Sequence, residues 1–121
     1  MGMLCHLERF EVSVTNKLFG SLGAQLQGEL GMAPSANMGA EGIAMFEPVH
    51  GSAPKYAGRD IANPLTAIQS AKMLLAYLGH TTVAVAVGKA VRHAVQVRHL
   101  PVDVGGSRDT TAVGDFVAAH V

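Results

Sequence analysis

The densest chemistry in the sequence lies in one stretch, HGSAPKYAGRDIANP, from His50 to Pro64. Gly51, Ser52 and Ala53 carry so little side chain that their backbone amides can approach an oxygen-rich ligand closely. Lys55 and Arg59 add two cations and Tyr56 an aromatic hydroxyl, a set suited to phosphate oxygens. Asn63-Pro64 then opens a helix, because Asn is a favoured N-cap and Pro is preorganised for the first turn. The stretch therefore ends on the positive end of a helix dipole. Together these features describe an anion or nucleotide site. A loop of this length without structure of its own is uncommon in a compact domain and is usually functional. It holds neither GxGxxG nor GxxxxGK[ST], so it is not one of the two commonest nucleotide motifs.

Other reactive side chains are scattered. His6, His50, His80, His93, His99 and His120 show no paired metal-ligand spacing, and only His50, at the head of the loop, takes a role. Cys5 stands alone, which excludes an internal disulfide and a cysteine-based zinc site, and it has no His or cation at a spacing useful for activating the thiol. Asp103, Asp109 and Asp115 are too dispersed to form an acid/base pair. Met32, Met38, Met45 and Met73 read as core fillers.

The elements that must position the loop can be read from periodicity and breakers. Phe10, Val12 and Val14 alternate with polar residues, predicting a short strand, and Leu22, Leu26 and Leu30 predict a short helix ended by Gly31. Ala33 to Gly42, APSANMGAEG, has the composition of a loop. Ile43 to Phe46 is a compact apolar run that predicts a buried strand, and a loop from Pro48 to Ala62 follows. Beyond Asn63-Pro64, a helix is expected to bury Leu65, Ile68, Ala71, Leu75 and Leu78 and to stop at Gly79. Thr81 or Thr82 would cap a second helix burying Val83, Val87, Val91 and Val95, with a strand over Val83 to Val87 as the alternative. Leu100 to Gly106 reads as an extended connector. Thr110 or Thr111 would cap a last helix burying Val113, Phe116 and Val117.

With 121 residues the chain has room for one modest core, so a single domain is expected. Nine Lys and Arg balance nine Asp and Glu, so the long-range field that draws a protein to nucleic acid is absent. A composition 49% hydrophobic and only 15% charged argues against disorder and for a face that is covered by a partner or by more protein. The longest apolar stretch, Val83 to Val87, is far short of a membrane span, and the polar residues among Met1 to Phe10 do not suit a secretory peptide. A cytoplasmic location is expected.

The run GIAMFEPVHGSAPKYAGRDIANP, preceded by LGMAPSANMG and followed at the C-terminus by DVGGSRDTTAVGDFVAAHV, resembles the C-terminal part of the β-decarboxylating dehydrogenases. This family comprises the isocitrate, 3-isopropylmalate, homoisocitrate and tartrate dehydrogenases. The resemblance runs from about Phe10 to Val121 and implies an α/β fold: a partial domain, the fragment 1–121 of the family's large cofactor-binding lobe, with few strands flanked by about four helices. It implies that His50, Gly51, Ser52, Ala53 and Pro54 wrap the adenosine and phosphates of a nicotinamide dinucleotide, with His50 against the adenine and Asn63 on its edge. NAD-using members carry Asp where this chain has Lys55. The pair Lys55-Tyr56 is similar to that of NADP-using isocitrate dehydrogenases, where it holds the 2′-phosphate, so NADP is expected over NAD. The NADP pattern also has a Tyr and an Arg near Val102 and Gly106; neither is present, and Arg108 is the cation left to substitute.

The resemblance further implies Mg²⁺ or Mn²⁺ held by an Asp-x-x-x-Asp pair just after LFG. Here the sequence reads LFGSLGAQLQGELG, four residues shorter than that pattern and with Ser21 at the second carboxylate position, so the metal ligands are expected to be absent. The family's substrate-binding arginines, catalytic Tyr and Lys would lie ahead of Met1. Expected partners are the dinucleotide and either a second copy of the chain or the family's N-terminal lobe. The alternative is a non-catalytic nucleotide-binding or structural remnant.

Overall fold

A computed structural model describes residues 34–121; the strand expected near Phe10 and the helix between Gly20 and Gly31 lie outside them. The described residues form a two-stranded sheet and three α-helices, an α/β arrangement.

Strand β1, Pro34–Met38, pairs antiparallel with β2, Ala44–Pro48, in the register Pro34 to Pro48 through Met38 to Ala44. The turn between them closes through Gly39 N–H donating to the Ile43 carbonyl at 2.8 Å, with Gly42 in the left-handed region at φ 81°. This corrects the loop expected over Ala33 to Gly42. Polar strand residues find partners across the ladder: Ser35 Oγ donates to the Glu47 carbonyl and Asn37 Nδ2 to Glu47 Oε1. Pro34 is tolerated because it is the first residue of its strand, where its missing N–H breaks no bond to β2. The strand expected at Ile43 to Phe46 is present as β2 but is not buried; Met45 is 52% exposed.

Helix α1, Leu65–Tyr77, starts one residue later than Asn63-Pro64 predicts: Pro64 rather than Asn63 takes the cap position, and Asn63 Oδ1, from the residue before it, accepts from Leu65 N–H at 2.9 Å. Gly79, at φ 86°, ends it, and His80 N–H donates back to the Leu75 carbonyl. Its buried face is Leu65, Thr66 and Ser70, with Ile68 partly buried, whereas Ala71 and Leu78 are exposed. The expected stripe is rotated because α1 packs on both the hairpin and the next helix. Tyr77 O–H donates to the Gly42 carbonyl at 2.8 Å and its ring lies 5.4 Å from Phe46, pinning the hairpin to the end of α1.

Helix α2, Thr81–Gln96, is a helix rather than the alternative strand, but its buried face is Ala84, Gly88, Ala90, Val91 and Ala94. Of the expected valine stripe only Val91 is buried; Val83 and Val95 are each 45% exposed. Small residues face inward because α2 lies close to its neighbours on both sides: a methyl group on Gly88 would already sit 3.5 Å from Lys72 Cε of α1. Neither Thr81 nor Thr82 caps the helix; His80 occupies the cap position with no side-chain bond.

The connector expected to be extended is instead a tight turn. Pro101 bridges to Arg108 around a short 3-10 segment, Val102–Val104, with Gly106 N–H donating to the Pro101 carbonyl at 2.9 Å. Helix α3, Thr110–Ala119, follows, capped by Asp109, whose carboxylate accepts from Ala112 N–H at 2.7 Å, and not by either threonine. Val113 and Val117 are buried as expected, and Phe116 is partly buried between the rings of His99 and His120, at 4.4 and 4.2 Å. These two valines join Leu65, Ala90, Val91 and Ala94 in one core. Asp109→Ala removes the cap and is expected to cost about 1 kcal/mol, read as a fall of a few degrees in Tm by circular dichroism.

Candidate functional site: a cleft beside the left-handed loop

The stretch from His50 to Asn63 is wound rather than extended. Ala53 adopts a left-handed conformation, φ 40° and ψ 61°, and launches one 3-10 turn, Pro54–Tyr56, closed by Tyr56 N–H to the Ala53 carbonyl at 2.9 Å. Gly58 at φ 72° and Asp60 at φ 54° reverse the chain again. Two non-glycine residues in this region represent local strain of the kind concentrated at binding sites.

Between this loop and the Val102–Asp103 segment opens a cleft of about 870 Å³, within the range of small-molecule sites. Of the residues expected at the site, His50, Gly51, Ser52, Ala53, Tyr56 and Asn63 line it together. Pro54 and Lys55 do not line it. Pro54 shapes the turn, and the Lys55 ammonium lies 4.9 Å from the centre of the Tyr56 ring, a cation–π contact at the rim. Among the described residues, no backbone carbonyl accepts from the amides of Gly51, Ser52 or Ala53. His50 Nδ1 donates to the Gly51 carbonyl at 3.0 Å, which requires the Nδ1–H form and leaves Nε2 as the ring's remaining polar atom.

Asn63 is fixed on both sides. Its Oδ1 accepts from Leu65 N–H, while its Nδ2 donates to Asp103 Oδ2 at 3.0 Å. Opposite bonding demands at the two ends settle the amide's orientation and leave one Nδ2 proton for a ligand. Asp103 and Val102 thus belong to the cleft wall, together with Ala57, Ile61 and Ala62. None of these was identified as a binding residue from the residues alone; the one pointer was the resemblance, which places a phosphate-binding Tyr near Val102.

At the far wall the expectation for Arg108 changes, and the absence of an Arg at Gly106 has a steric reason. A side chain at Gly106 would place its first carbon 1.8 Å from the Leu100 carbonyl oxygen, so this backbone has no room there for an Arg. Arg108 is held in the bridge to Pro101, its N–H donating to the Leu100 carbonyl at 3.0 Å, and it does not line the cleft. Among the described residues no three His, Cys, Asp or Glu side chains converge in a way that could hold a metal ion.

A family model for isocitrate/isopropylmalate dehydrogenase matches residues 1–117. The chain is 40% identical to the homoisocitrate dehydrogenase of Methanocaldococcus jannaschii, with all of this chain and 36% of that enzyme covered. It is 46% identical to an isocitrate/homoisocitrate dehydrogenase of Thermus thermophilus, over 97% of this chain and 36% of that enzyme. Its fold is similar to the crystal structure of a β-decarboxylating dehydrogenase from Thermococcus kodakarensis, with TM-score 0.81 and 38% identity, covering 98% of this chain and 37% of the other. The motif, the fold and the extent of the match make this chain a member of the isocitrate/isopropylmalate dehydrogenase family. It spans about a third of the length of these relatives.

Proposed function

We propose that this chain forms the adenosine side of the dinucleotide site of a metal-dependent oxidoreductase that oxidatively decarboxylates a 2-hydroxy acid. Isocitrate is the first substrate choice, with 3-isopropylmalate or homoisocitrate next, and NADP is the cofactor preferred over NAD. The observation that carries this reading is the placement of the Lys55 ammonium against the Tyr56 ring, which itself lines the cleft. A 2′-phosphate at that rim would meet a cation and a phenol hydroxyl, whereas an unphosphorylated ribose presents only hydroxyls there. His50 would lie against the base, the amides of Gly51 to Ala53 would face phosphate oxygens, and the free Nδ2 proton of Asn63 would meet the adenine edge. The bound dinucleotide supplies the hydride acceptor.

Among the described residues no group of three His, Cys, Asp or Glu side chains fits a divalent ion. The same reading gives the chain a cytoplasmic setting and a covering partner, a second copy or an N-terminal lobe, over the hairpin, where Met38 is 68% and Ile43 76% exposed. No helix of the described residues is long and apolar enough to cross a membrane.

Titration of 2′-phospho-ADP-ribose against ADP-ribose at low salt tests the cofactor assignment. The phosphorylated nucleotide is expected to bind about tenfold more tightly; equal binding would overturn the NADP preference. A second reading, a non-catalytic nucleotide-binding or structural remnant, is favoured by the sequence LFGSLG, in which Ser21 replaces a metal-binding carboxylate of the family pattern. On either reading the 121-residue chain alone is expected to yield no NADPH from isocitrate and Mg²⁺ above a buffer blank, and measurable production would exclude the second reading.

A further inference from the structure

We propose that Asp60 is a positioning residue of the cleft, latching α3 to the loop through Thr110 and Thr111. The inference rests on reading the cleft as a nucleotide site. Asp60 Oδ1 accepts from both the backbone N–H of Thr111, at 3.0 Å, and its hydroxyl, at 2.9 Å. The Asp60 carbonyl accepts from Thr110 N–H at 3.0 Å, and Thr110 Oγ1 donates to the Ala62 carbonyl. Four bonds thus join the loop to the start of α3.

The topology gives these bonds their role. The cleft has two walls: the loop ending at Ala62 and Asn63, and the Val102–Asp103 segment. Chain continuity links the second wall to α3 through the Pro101–Arg108 bridge. The latch ties α3 back to the first wall, one residue before Ile61, and the Asn63–Asp103 bond spans the cleft itself. The walls are therefore held at a fixed separation by two clasps, one across the cleft and one behind it. Asp60 does not line the cleft, so it acts through the residues that follow it.

Helix capping alone does not account for Asp60. The N-terminus of α3 already has a capping carboxylate in Asp109. Asp60 also sits at φ 54°, where glycine would be relaxed, and it keeps both carboxylate bonds in that conformation.

Three variants of the full chain test the latch: Asp60→Gly, which suits the backbone but removes both carboxylate bonds; Asp60→Asn, which keeps an acceptor; and Thr111→Val, which removes one donor and keeps the fold if the glycine variant does not form it. The readouts are the Kd for 2′-phospho-ADP-ribose, measured where each variant is fully folded by circular dichroism, and amide exchange at Thr111 and Leu65. Leu65 N–H is bonded to Asn63 Oδ1 and so reports on the cleft wall.

The expected result is binding about five- to tenfold weaker in Asp60→Gly, about two- to threefold weaker in Thr111→Val, and within about twofold of the native chain in Asp60→Asn. Exchange at Leu65 should rise together with exchange at Thr111. Native affinity in Asp60→Gly, with faster exchange at Thr111 alone, would reduce the latch to a cap and overturn the inference. A native chain that binds neither 2′-phospho-ADP-ribose nor ADP-ribose would overturn the nucleotide reading and the latch's positioning role with it.

Discussion

Gly106→Ala is expected to lower Tm by about 10 °C, corresponding to about 3 kcal/mol or more of lost stability. The added methyl would lie 1.8 Å from the Leu100 carbonyl oxygen and 2.3 Å from its carbonyl carbon. Both are backbone atoms, so no rotamer change relieves the collision and the turn itself must open. That turn carries the Gly106 to Pro101 and Arg108 to Leu100 hydrogen bonds, and it presents Val102 and Asp103 to the cleft. Stability and nucleotide affinity should therefore fall together. Thermal unfolding followed by circular dichroism checks the first, and a Tm within about 3 °C of the native value would show that the turn yields more easily than its geometry indicates.

Lys55→Asp is expected to invert the nucleotide preference. The native chain should favour the 2′-phosphorylated nucleotide about tenfold through one charge-assisted contact at an exposed rim, and the aspartate should reverse this by repelling the phosphate and accepting from ribose hydroxyls. The ratio of the two affinities should swing by about a hundredfold between the variants at low salt, and by less as salt screens the rim. Lys55 contacts no core residue, its described partner being the Tyr56 ring, so folding should be unaffected. Competition titrations with both nucleotides decide it; a ratio unchanged by the substitution would mean that Lys55 does not read the 2′ position.

What could be read from the sequence follows the range over which its forces act. The start of α1 was legible because Pro64 fixes its own φ and restricts Asn63 before it, and the bond from Leu65 to Asn63 spans only two residues. The helical state of α2 was legible too, but its buried face was not. Hydropathy ranks valine above alanine, while the close approach of α1 and α3 selects Ala84, Gly88, Ala90 and Ala94 for the inside. The strand Pro34–Met38 was hidden by its Pro, Ser and Asn residues, of which Asn37 and Ser35 find their side-chain partner Glu47 on β2 ten and twelve positions away. In the candidate site, the loop half was legible because glycines, cations and a helix start are contiguous in sequence. Asp103 was not, because its link to Asn63 spans 40 residues and leaves no local pattern. Asp60 escaped notice for the same reason: its partners lie fifty and more positions downstream.

The ladder of β1 and β2 begins at one end with proline facing proline, Pro34 against Pro48. Neither residue has an N–H to offer, so that end of the sheet cannot recruit a further strand by donating to it. The other end behaves differently, since Met38 pairs with Ala44 there and Met38 and Met45 are more than half exposed. For the hairpin of the described residues, intermolecular strand growth is thereby disfavoured at the proline end relative to the rungs nearest the turn. A charged residue placed at Met38 or Met45 is the economical way to keep concentrated solutions of this chain clear, because the prolines already guard the opposite end.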